Sequence, residues 1–190
     1  MNMQYKANYM SPVGGITLGS DGEALTGLWF DGQKYFGDTL REMQRENSGN
    51  IPGNIQEEEI PVFIKTKQWL DIYFSGKAPD FIPDLRMICS DFRKRVWEIM
   101  LTIPYGQTMT YKEIASVIGQ ERKKMVSAQA VGGAVGHNSI SLIIPCHRVV
   151  GTDGNLTGYA GGIDKKIWLL RHEGADTGRL FAPGYHAALR

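Results

Sequence analysis

A change of residue pattern near the middle of this 190-residue chain limits its fold more than any other property of the sequence. Apolar and polar residues alternate over 4–9 and 16–30, as they do in half-buried strands. Beyond residue 88, apolar residues recur at helical spacing behind residues that cap helices. Residues 77–88 contain two prolines and predict an extended linker. We therefore expect an α+β protein with domains over 1–85 and 86–175 and a tail over 176–190.

The first domain is expected to be an α/β domain with a small antiparallel sheet. Turn signals divide residues 4–30 into two or three strands. Residues 31–59 are polar and predict a loop, with a short helix near 35–42. Pro61 suits the first turn of a helix, and Gly76 ends the helical pattern that follows it.

The second domain is expected to be mostly helical. Thr110 and Glu113 have the spacing of a capping box, which predicts a short helix over 111–118 ended by Gly119. A second helix, rich in small residues, is expected over 127–135. Two short helices joined by a turn indicate a helix-turn-helix.

Four further elements are expected around this motif. Ser90 predicts the cap of a preceding helix, and the apolar run 140–144 predicts a short buried strand. Residues 149–156 contain a glycine turn that would form a hairpin wing. Asp164 is expected to cap a last helix, which Gly174 ends.

Charge is unevenly distributed between the two halves. Residues 1–85 carry seven lysines and arginines against twelve aspartates and glutamates, whereas residues 86–176 carry twelve against eight. A basic half suits a polyanionic partner, although ordinary solvated charge is the alternative interpretation.

Cysteine use and hydropathy narrow the class of protein. Cys89 and Cys146 are the only cysteines, too few for a disulfide framework or a four-cysteine zinc site, and we expect no metal and no cofactor. The sequence has neither a signal-peptide pattern nor an apolar run as long as a membrane span. We expect a cytoplasmic protein without a membrane partner, in a reducing compartment where a reactive thiol survives.

Cys146 stands in a setting that favours a reactive thiol. It follows an apolar run and precedes His147 and Arg148, and nearby positive charge favours the thiolate, which is the nucleophile. The alternative is a buried cysteine that packs as a small hydrophobic residue. Cys89 has no such neighbours and is interpreted as structural.

The segments around Cys146 form a specific set. Upstream lies a small-residue segment ending in His137-Asn138, and downstream lie Gly-Tyr-Ala-Gly-Gly over 158–162 and Trp-Leu-Leu-Arg-His-Glu-Gly over 168–174. With Pro-Cys-His-Arg-Val over 145–149, these motifs resemble the O6-alkylguanine-DNA alkyltransferase family, also called methylated-DNA–protein-cysteine methyltransferases. The resemblance is strong over 87–174 and weaker in the N-terminal strands.

The resemblance implies a ribonuclease H-like first domain, a winged helix-turn-helix second domain and a methyltransferase that repairs DNA by a single, irreversible transfer. Cys146 would accept the alkyl group from O6-alkylguanine, and His147 would remove the thiol proton through a water. Glu173 would orient His147, Asn138 would join this network, and Tyr111 would donate a hydrogen bond to the guanine. Repair of O4-alkylthymine stays open.

The resemblance also implies how double-stranded DNA is bound. The base would be flipped out of the duplex, as reaction inside the stack is blocked. Its pocket would be formed by Val149, Tyr159 and Ala160, the last through its backbone N–H. The helix over 127–135 would lie in the minor groove, and the protein would act as a monomer. The residues expected to contact DNA are Lys123, Lys124, Ala128, Gln129, Ala130, Gly132, Gly133 and Arg148.

Two departures from the family pattern bear on DNA binding. Gln129 stands where the family usually has an arginine that fills the space of the flipped base. The turn before it is about four residues longer, because residues 121–124 have no clear counterpart. We hypothesise that Lys123 or Lys124 contacts phosphate and offsets the missing arginine; a solvated loop is the alternative.

Three other functions are compatible with parts of the sequence. A non-catalytic protein of the same fold that binds alkylated bases would lack the acceptor, but Cys146 is present. A winged-helix regulator would carry side chains that read base edges, and the second helix offers only Gln129. A cysteine hydrolase shares the Cys-His-Glu set but would turn over repeatedly.

Overall fold

The computed structural model describes residues 4–40, 60–156 and 158–182. Its contacts divide the chain into two compact units. One unit comprises Met1–Ile88 together with Ser139–Ser141, and the other comprises Cys89–Asn138 and Leu142–Arg190. The expected helix near 35–42 lies partly outside the described residues, of which 38–40 are helical. Most of the expected tail, from 183 onward, also lies outside them.

The first unit contains the antiparallel sheet that the alternating pattern predicts. Strands β1 (Tyr5–Ser11), β2 (Gly14–Ser20) and β3 (Leu25–Phe30) pair in that order. The ring of Trp29 lies where a Cβ at Gly27 would be, so that position needs glycine. Helix α1 (Pro61–Phe74) begins at Pro61 as predicted and packs an apolar face against the three strands.

The predicted strand over 140–144 is wrong. Only Ile140 makes a bridge, in parallel with Leu28, with flanking bonds from Leu28 N–H to Ser139 O (2.8 Å) and from Ser141 N–H to Leu28 O (2.9 Å). Leu142 then takes a left-handed conformation with φ of 68°, which ends the extended geometry. The residues of this run are buried, so their apolar character reflects burial in turns.

The second unit is built from short helices and one small parallel sheet. Its elements are α2 (Asp91–Leu101), β4 (Met109–Thr110), α3 (Tyr111–Arg122), α4 (Ala128–Gly136), a 3-10 turn (Cys146–Arg148), β5 (Val149–Val150) and α5 (Ile163–His172). Strands β4 and β5 pair in parallel, which brings the start of α3 beside the end of the 3-10 turn. No helix in the described part of the chain is long and apolar enough to cross a membrane.

Side-chain caps begin three helices, and those at Ser90 and Thr110 were predicted. Ser90 accepts from Arg93 N–H at the start of α2, and Ser127 accepts from Ala130 N–H at the start of α4. Thr110 and Glu113 form the complete capping box of α3. Such helix starts are predictable because a cap depends on residues within one turn.

Two helix ends differ from the prediction. Helix α3 continues past Gly119 to Arg122, and Lys123 supplies the left-handed residue that ends it. Gly119 has another role, since a Cβ there would lie 3.2 Å from the Lys124 carbonyl oxygen of the returning chain. The N-cap of α5 is Gly162, whose φ is 92°, and Asp164 lies in the first turn without a capping bond.

The glycine turn expected to form a wing is present and is closed by a bond from Gly151 N–H to Asn155 O at 2.8 Å, but the strand pairing beyond it involves other segments. Gly154 N–H donates to Gly151 O across the turn. Strand β5 precedes the turn and pairs with β4, whereas Asn155 follows it and forms a parallel bridge with Phe181. The local pattern predicted the turn and could not identify the more distant partners of its two arms.

Candidate active site

A tight turn presents the thiol of Cys146. Pro145 has φ of −82° and ψ of 67°, the geometry of an inverse γ-turn, and Cys146 N–H donates to Ile144 O at 2.8 Å. The 3-10 turn follows at once, and Val149 N–H donates to Cys146 O at its end. Cys146 is 3% exposed, so its sulfur lies in a largely dry environment.

The side chain of Asn138 links the end of helix α4 to the thiol. Its Nδ2 donates to Ile144 O at 2.7 Å and lies 3.2 Å from Cys146 Sγ. Asn138 is itself 3% exposed. An amide donor held beside a sulfur favours negative charge on that sulfur, which is the form that attacks.

Glu173 has a full set of hydrogen-bond donors around its carboxylate. Oε1 accepts from His147 Nε2 at 2.6 Å and from Arg148 Nη2 at 3.0 Å. Oε2 accepts from Arg148 Nε at 2.8 Å and from the backbone N–H of Gly106 at 3.1 Å. A Cβ on Gly106 would lie 2.7 Å from Glu173 O, so only glycine permits this approach.

The charges of this cluster determine which nitrogen of His147 is basic. Burial alone would raise the pKa of Glu173, but the charges and hydrogen bonds of His147 and Arg148 outweigh it and hold that pKa well below its usual range. An ionised carboxylate only accepts, so His147 Nε2 carries hydrogen and Nδ1 is the basic atom of the neutral ring. Complete burial lowers the pKa of His147, with Glu173 opposing, which favours that neutral ring.

Tyr111 is the first residue of α3 and lies beside the glycine segment before α5. A Cβ on Gly158 would lie 3.1 Å from its hydroxyl oxygen, and one on Gly132 would lie 3.9 Å from its ring. Burial, and then the negative charge of an ionised Cys146, raises the pKa of Tyr111 to about 12. Its hydroxyl therefore keeps its proton at neutral pH and acts as a donor.

The three residues expected at a base pocket differ in their burial. Val149 is fully buried, and Tyr159 and Ala160 are half-buried. The hydroxyl of Tyr159 is buried and has no hydrogen-bond partner among the described residues. Burial raises its pKa well above the usual value, and the charges of Cys146 and Glu173 add to the shift.

Lys166 is a site residue that sequence reasoning missed. Its side chain is fully buried, and its ammonium donates to Val149 O at 2.6 Å. Burial lowers its pKa to about 8, opposed by the charge of an ionised Cys146. A signal was available, since Lys166 shares the apolar face of α5 with Ile163, Ile167 and Leu170, where a lysine is unusual.

The expectation that Arg148 contacts DNA is wrong for this structure. Its guanidinium is bound to both oxygens of Glu173 and donates to Ile103 O at 2.7 Å. It also lies 5.7 Å from the centre of the Tyr105 ring. Because Arg148 is 8% exposed and occupied by these partners, it serves the buried cluster and is unavailable to phosphate.

Helix α4 has one buried face and one open face. Val131, Ala134 and Val135 are buried, and Trp97 Nε1 donates to Ala134 O at 2.9 Å. On the open face, no atom lies within 4 Å of a Cβ built on Gly133. The residues predicted to contact DNA that are exposed are Lys123, Lys124, Ala128, Gln129, Ala130 and Gly133, and Gly132 is half-buried.

No cluster of His, Cys, Asp and Glu suited to a metal ion occurs within residues 4–40, 60–156 and 158–182. The site itself brings together a thiol, an imidazole, a carboxylate and a phenol. These are the groups required for nucleophilic attack with general-base assistance.

Comparison with known proteins agrees with this geometry. Residues 91–175 match the family model of the 6-O-methylguanine DNA methyltransferase DNA binding domain, and residues 4–84 match that of its ribonuclease-like domain. A methylated-DNA–protein-cysteine methyltransferase of Mycobacterium bovis is 40% identical over 163 residues, covering 86% of this chain and 88% of the relative. The methylated-DNA–protein-cysteine methyltransferase of Methanosarcina barkeri is 42% identical, covering 86% of this chain and 92% of the relative.

A solved structure extends the match to the fold. The OGT of Mycobacterium tuberculosis in complex with DNA aligns with a TM-score of 0.70 and 37% identity, over 90% of this chain and 95% of that one. The similarity spans both units and reaches the relatives' nearly full length. This chain therefore belongs to the methylated-DNA–protein-cysteine methyltransferase family, whose members repair DNA by moving an alkyl group to one of their own cysteines.

Proposed function

We propose that Cys146 accepts the alkyl group from O6-alkylguanine in double-stranded DNA and retains it. The observation that carries this assignment is the environment of its sulfur. Sγ lies 3.2 Å from the amide of Asn138 and is followed in the chain by His147, whose ring is bound to Glu173 at 2.6 Å. Cys89 has no comparable assignment, since no part of this cluster involves it.

The first step is removal of the thiol proton. His147 Nδ1 takes the proton of Cys146 through a bridging water, because Nε2 is already bound to Glu173. The ring then carries a positive charge, which the ionised Glu173 stabilises. Two hydrogen bonds from Arg148 keep Glu173 ionised even while His147 is neutral, so the base is ready before substrate arrives.

The second step moves the alkyl group. The thiolate of Cys146 attacks the alkyl carbon, a C–S bond forms, and the bond between that carbon and guanine O6 breaks with its electron pair remaining on the base. Tyr111 donates a hydrogen bond to the departing base, and the proton held by His147 returns to it through water. The products are guanine and an S-alkylcysteine, and since thioethers are not readily hydrolysed, each molecule acts once.

The alkylated guanine is recognised after it has been flipped out of the duplex. The carbonyl oxygens of Cys146 and Val149 accept hydrogen bonds within the protein, and because a carbonyl oxygen has two lone pairs, both can also accept from the exocyclic amine of guanine. The N–H of Ala160 would donate to O6, and the buried hydroxyl of Tyr159 lies in the same region. Extrusion of the base costs about a few kcal/mol, which these contacts offset.

The duplex is proposed to lie on the open face of helix α4, with that face in the minor groove. The small residues of this face, among them Ala128, Ala130 and Gly133, allow close approach of a sugar-phosphate backbone. Gln129 is exposed near the start of the helix and is assigned to the space left by the flipped base. Lys123 or Lys124 would add a phosphate contact.

The domain assignment follows from this proposal. The segment 86–175 would carry both DNA binding and alkyl transfer, and the protein would act as a monomer, because all catalytic groups come from one chain. The acidic segment 1–85 is not assigned a DNA contact, since its net charge repels a polyanion.

Intact-mass measurement tests the acceptor assignment. The protein is mixed with a duplex oligonucleotide containing one O6-methylguanine. We expect each protein molecule to gain the mass of one CH₂ group, located on Cys146 by peptide mapping. Cys146→Ser should gain nothing, and Cys89→Ser, the matched control, should behave as the parent. A label on any other residue, or repair of excess substrate by one molecule, would overturn the proposal.

A further inference from the structure

Lys166 is buried in a way that calls for an explanation. The side chain has no exposed surface, and its one recorded hydrogen bond is to a neutral carbonyl, Val149 O. Among the described residues, no carboxylate forms an ion pair with it. Fully buried lysines are rare unless paired, because desolvating an ammonium is unfavourable.

The backbone connects Lys166 to the thiol. The peptide group of Val149 donates its N–H to Cys146 O and is followed by the carbonyl that accepts from Lys166. The ammonium of Lys166 therefore holds the end of the 3-10 turn that carries the sulfur of Cys146. Its charge also acts on that turn, since an ionised Cys146 favours the charged form of Lys166.

The other charged groups near the site do not compete for an interaction between Lys166 and Cys146. Glu173 is matched by Arg148 and His147, so its negative charge is already compensated. The thiolate of Cys146 is the anion whose charge favours the protonated form of Lys166. The titratable groups that act on Cys146 or its neighbours are Tyr111 from α3, His147 and Arg148 from the 3-10 turn, Tyr159 from the glycine segment, and Lys166 and Glu173 from α5 and its end.

We propose that Lys166 is a positioning residue for the transfer: its ammonium is the buried counter-charge of the Cys146 thiolate and holds the Val149 carbonyl that faces the guanine. This inference rests on the proposed role of Cys146. It adds a second source of thiolate stabilisation, separate from the His147–Glu173 pair. Reciprocity requires that removal of the ammonium raises the pKa of Cys146.

The test titrates Cys146 without DNA, so it is independent of repair. The ultraviolet absorbance of the thiolate is followed against pH, and each protein is corrected with its own Cys146→Ser counterpart. Three variants separate charge from contact: Lys166→Met loses both, Lys166→Gln keeps a donor for Val149 O without the charge, and Lys166→Arg keeps both. Lys165→Met, which removes the same charge from the adjacent position, is the matched control.

We expect the midpoint to rise by about one pH unit in Lys166→Met and Lys166→Gln, which is a tenfold smaller thiolate fraction below the midpoint. Lys166→Arg and Lys165→Met should keep the parent's midpoint. If Lys166→Met does not fold, Lys166→Gln carries the test alone, with thermal unfolding to verify its structure. A folded Lys166→Gln with the parent's midpoint would overturn the proposal, and so would equal shifts in Lys166→Gln and Lys166→Arg. Failure of alkyl transfer in the mass experiment would instead overturn the role of Cys146.

Discussion

At the scale of single residues, the buried carboxylate of Glu173 organises the chemistry. Four hydrogen bonds saturate its oxygens, and they come from one imidazole, one guanidinium and one backbone amide. This arrangement selects the tautomer of His147, and in the proposed transfer it would supply the counter-charge for the imidazolium. A neutral amide in its place would leave Arg148 buried without an anion.

Glu173→Gln should therefore destabilise the protein and slow transfer. Breaking a buried ion pair costs about 3–5 kcal/mol, measured as the free energy of unfolding in denaturant. Because the folded-state pKa of Glu173 is depressed, its contribution is complete above the unfolded value of 4.5 and is lost as pH falls below it. The difference between parent and variant should shrink below that pH; a constant difference down to pH 3 would contradict the assignment.

A surface ion pair provides the control for that experiment. Glu121 accepts from Arg95 at 2.6 Å, but both side chains are more than a third exposed. Pairs of this kind contribute little to stability, because solvent screens both charges. Glu121→Gln should therefore leave the free energy of unfolding nearly unchanged, despite the loss of the same charge.

Lys166 predicts a pH dependence of stability with the same sign as that of Glu173, but in the alkaline range. Its pKa is lowered from 10.5 to about 8 in the folded chain, so between these values the unfolded chain binds more protons and stability rises with pH. Relative to that of Lys166→Met, the free energy of unfolding of the parent should rise by about 2 kcal/mol between pH 8 and pH 10, measured by denaturant unfolding of both proteins. Parallel curves over that range would show that the ammonium keeps an ordinary pKa.

At the scale of elements, helix α4 contains glycines that make it less stable than a helix of the same length with alanines in their place. Glycine inside a helix costs about 1 kcal/mol relative to alanine, and α4 carries Gly132 and Gly133 in succession. Gly132 lies against the Tyr111 ring, but Gly133 faces open space. Packing within the protein therefore does not explain Gly133, whereas the proposed close approach of DNA to this face would.

Gly133→Ala should raise stability and weaken DNA binding. The added methyl meets no atom within 4 Å and improves helix propensity, so the free energy of unfolding should rise by about 0.5–1 kcal/mol. Affinity for duplex DNA, measured by fluorescence anisotropy, should fall several-fold. Gly136→Ala, also open but at the last residue of α4, is the control and should bind as the parent does. Unchanged affinity in Gly133→Ala would show that DNA does not bind at this face.

At the scale of the whole molecule, charge distribution agrees with the family match. The segment from 86 to 176 is basic and the segment from 1 to 85 is acidic. The model of the DNA binding domain matches residues 91–175, which lie within the basic segment. The distribution predicts that binding depends on salt through lysines of this segment.

Replacing Lys123 and Lys124 together with alanine tests that dependence. Each lost phosphate contact should reduce the slope of log affinity against log salt by about 0.9. Both lysines are exposed in the turn before α4, so the change should not affect folding. Alanines at Lys6 and Lys77, exposed residues of the acidic segment, should leave the slope unchanged. An unchanged slope in the Lys123 and Lys124 variant would favour the solvated loop.

Much of this protein was predictable from residues that lie close together in the chain. Strand alternation predicted β1 to β3, and caps at Ser90 and Thr110 predicted two helix starts, because each depends on interactions within a few residues. The thiol of Cys146 was identified in the same way, from its motif and the resemblance it carries.

Contacts between distant residues were decided by the tertiary structure alone. Gly106 meets Glu173 across 67 residues, Arg148 turns inward to the same carboxylate across 25, and Lys166 reaches Val149 across 17. A residue pattern records which side chains are polar, but burial and counter-charge depend on what the folded chain brings within a few ångströms. That is why the proposed nucleophile is predictable from the sequence, while the groups that hold its neighbours in place are not.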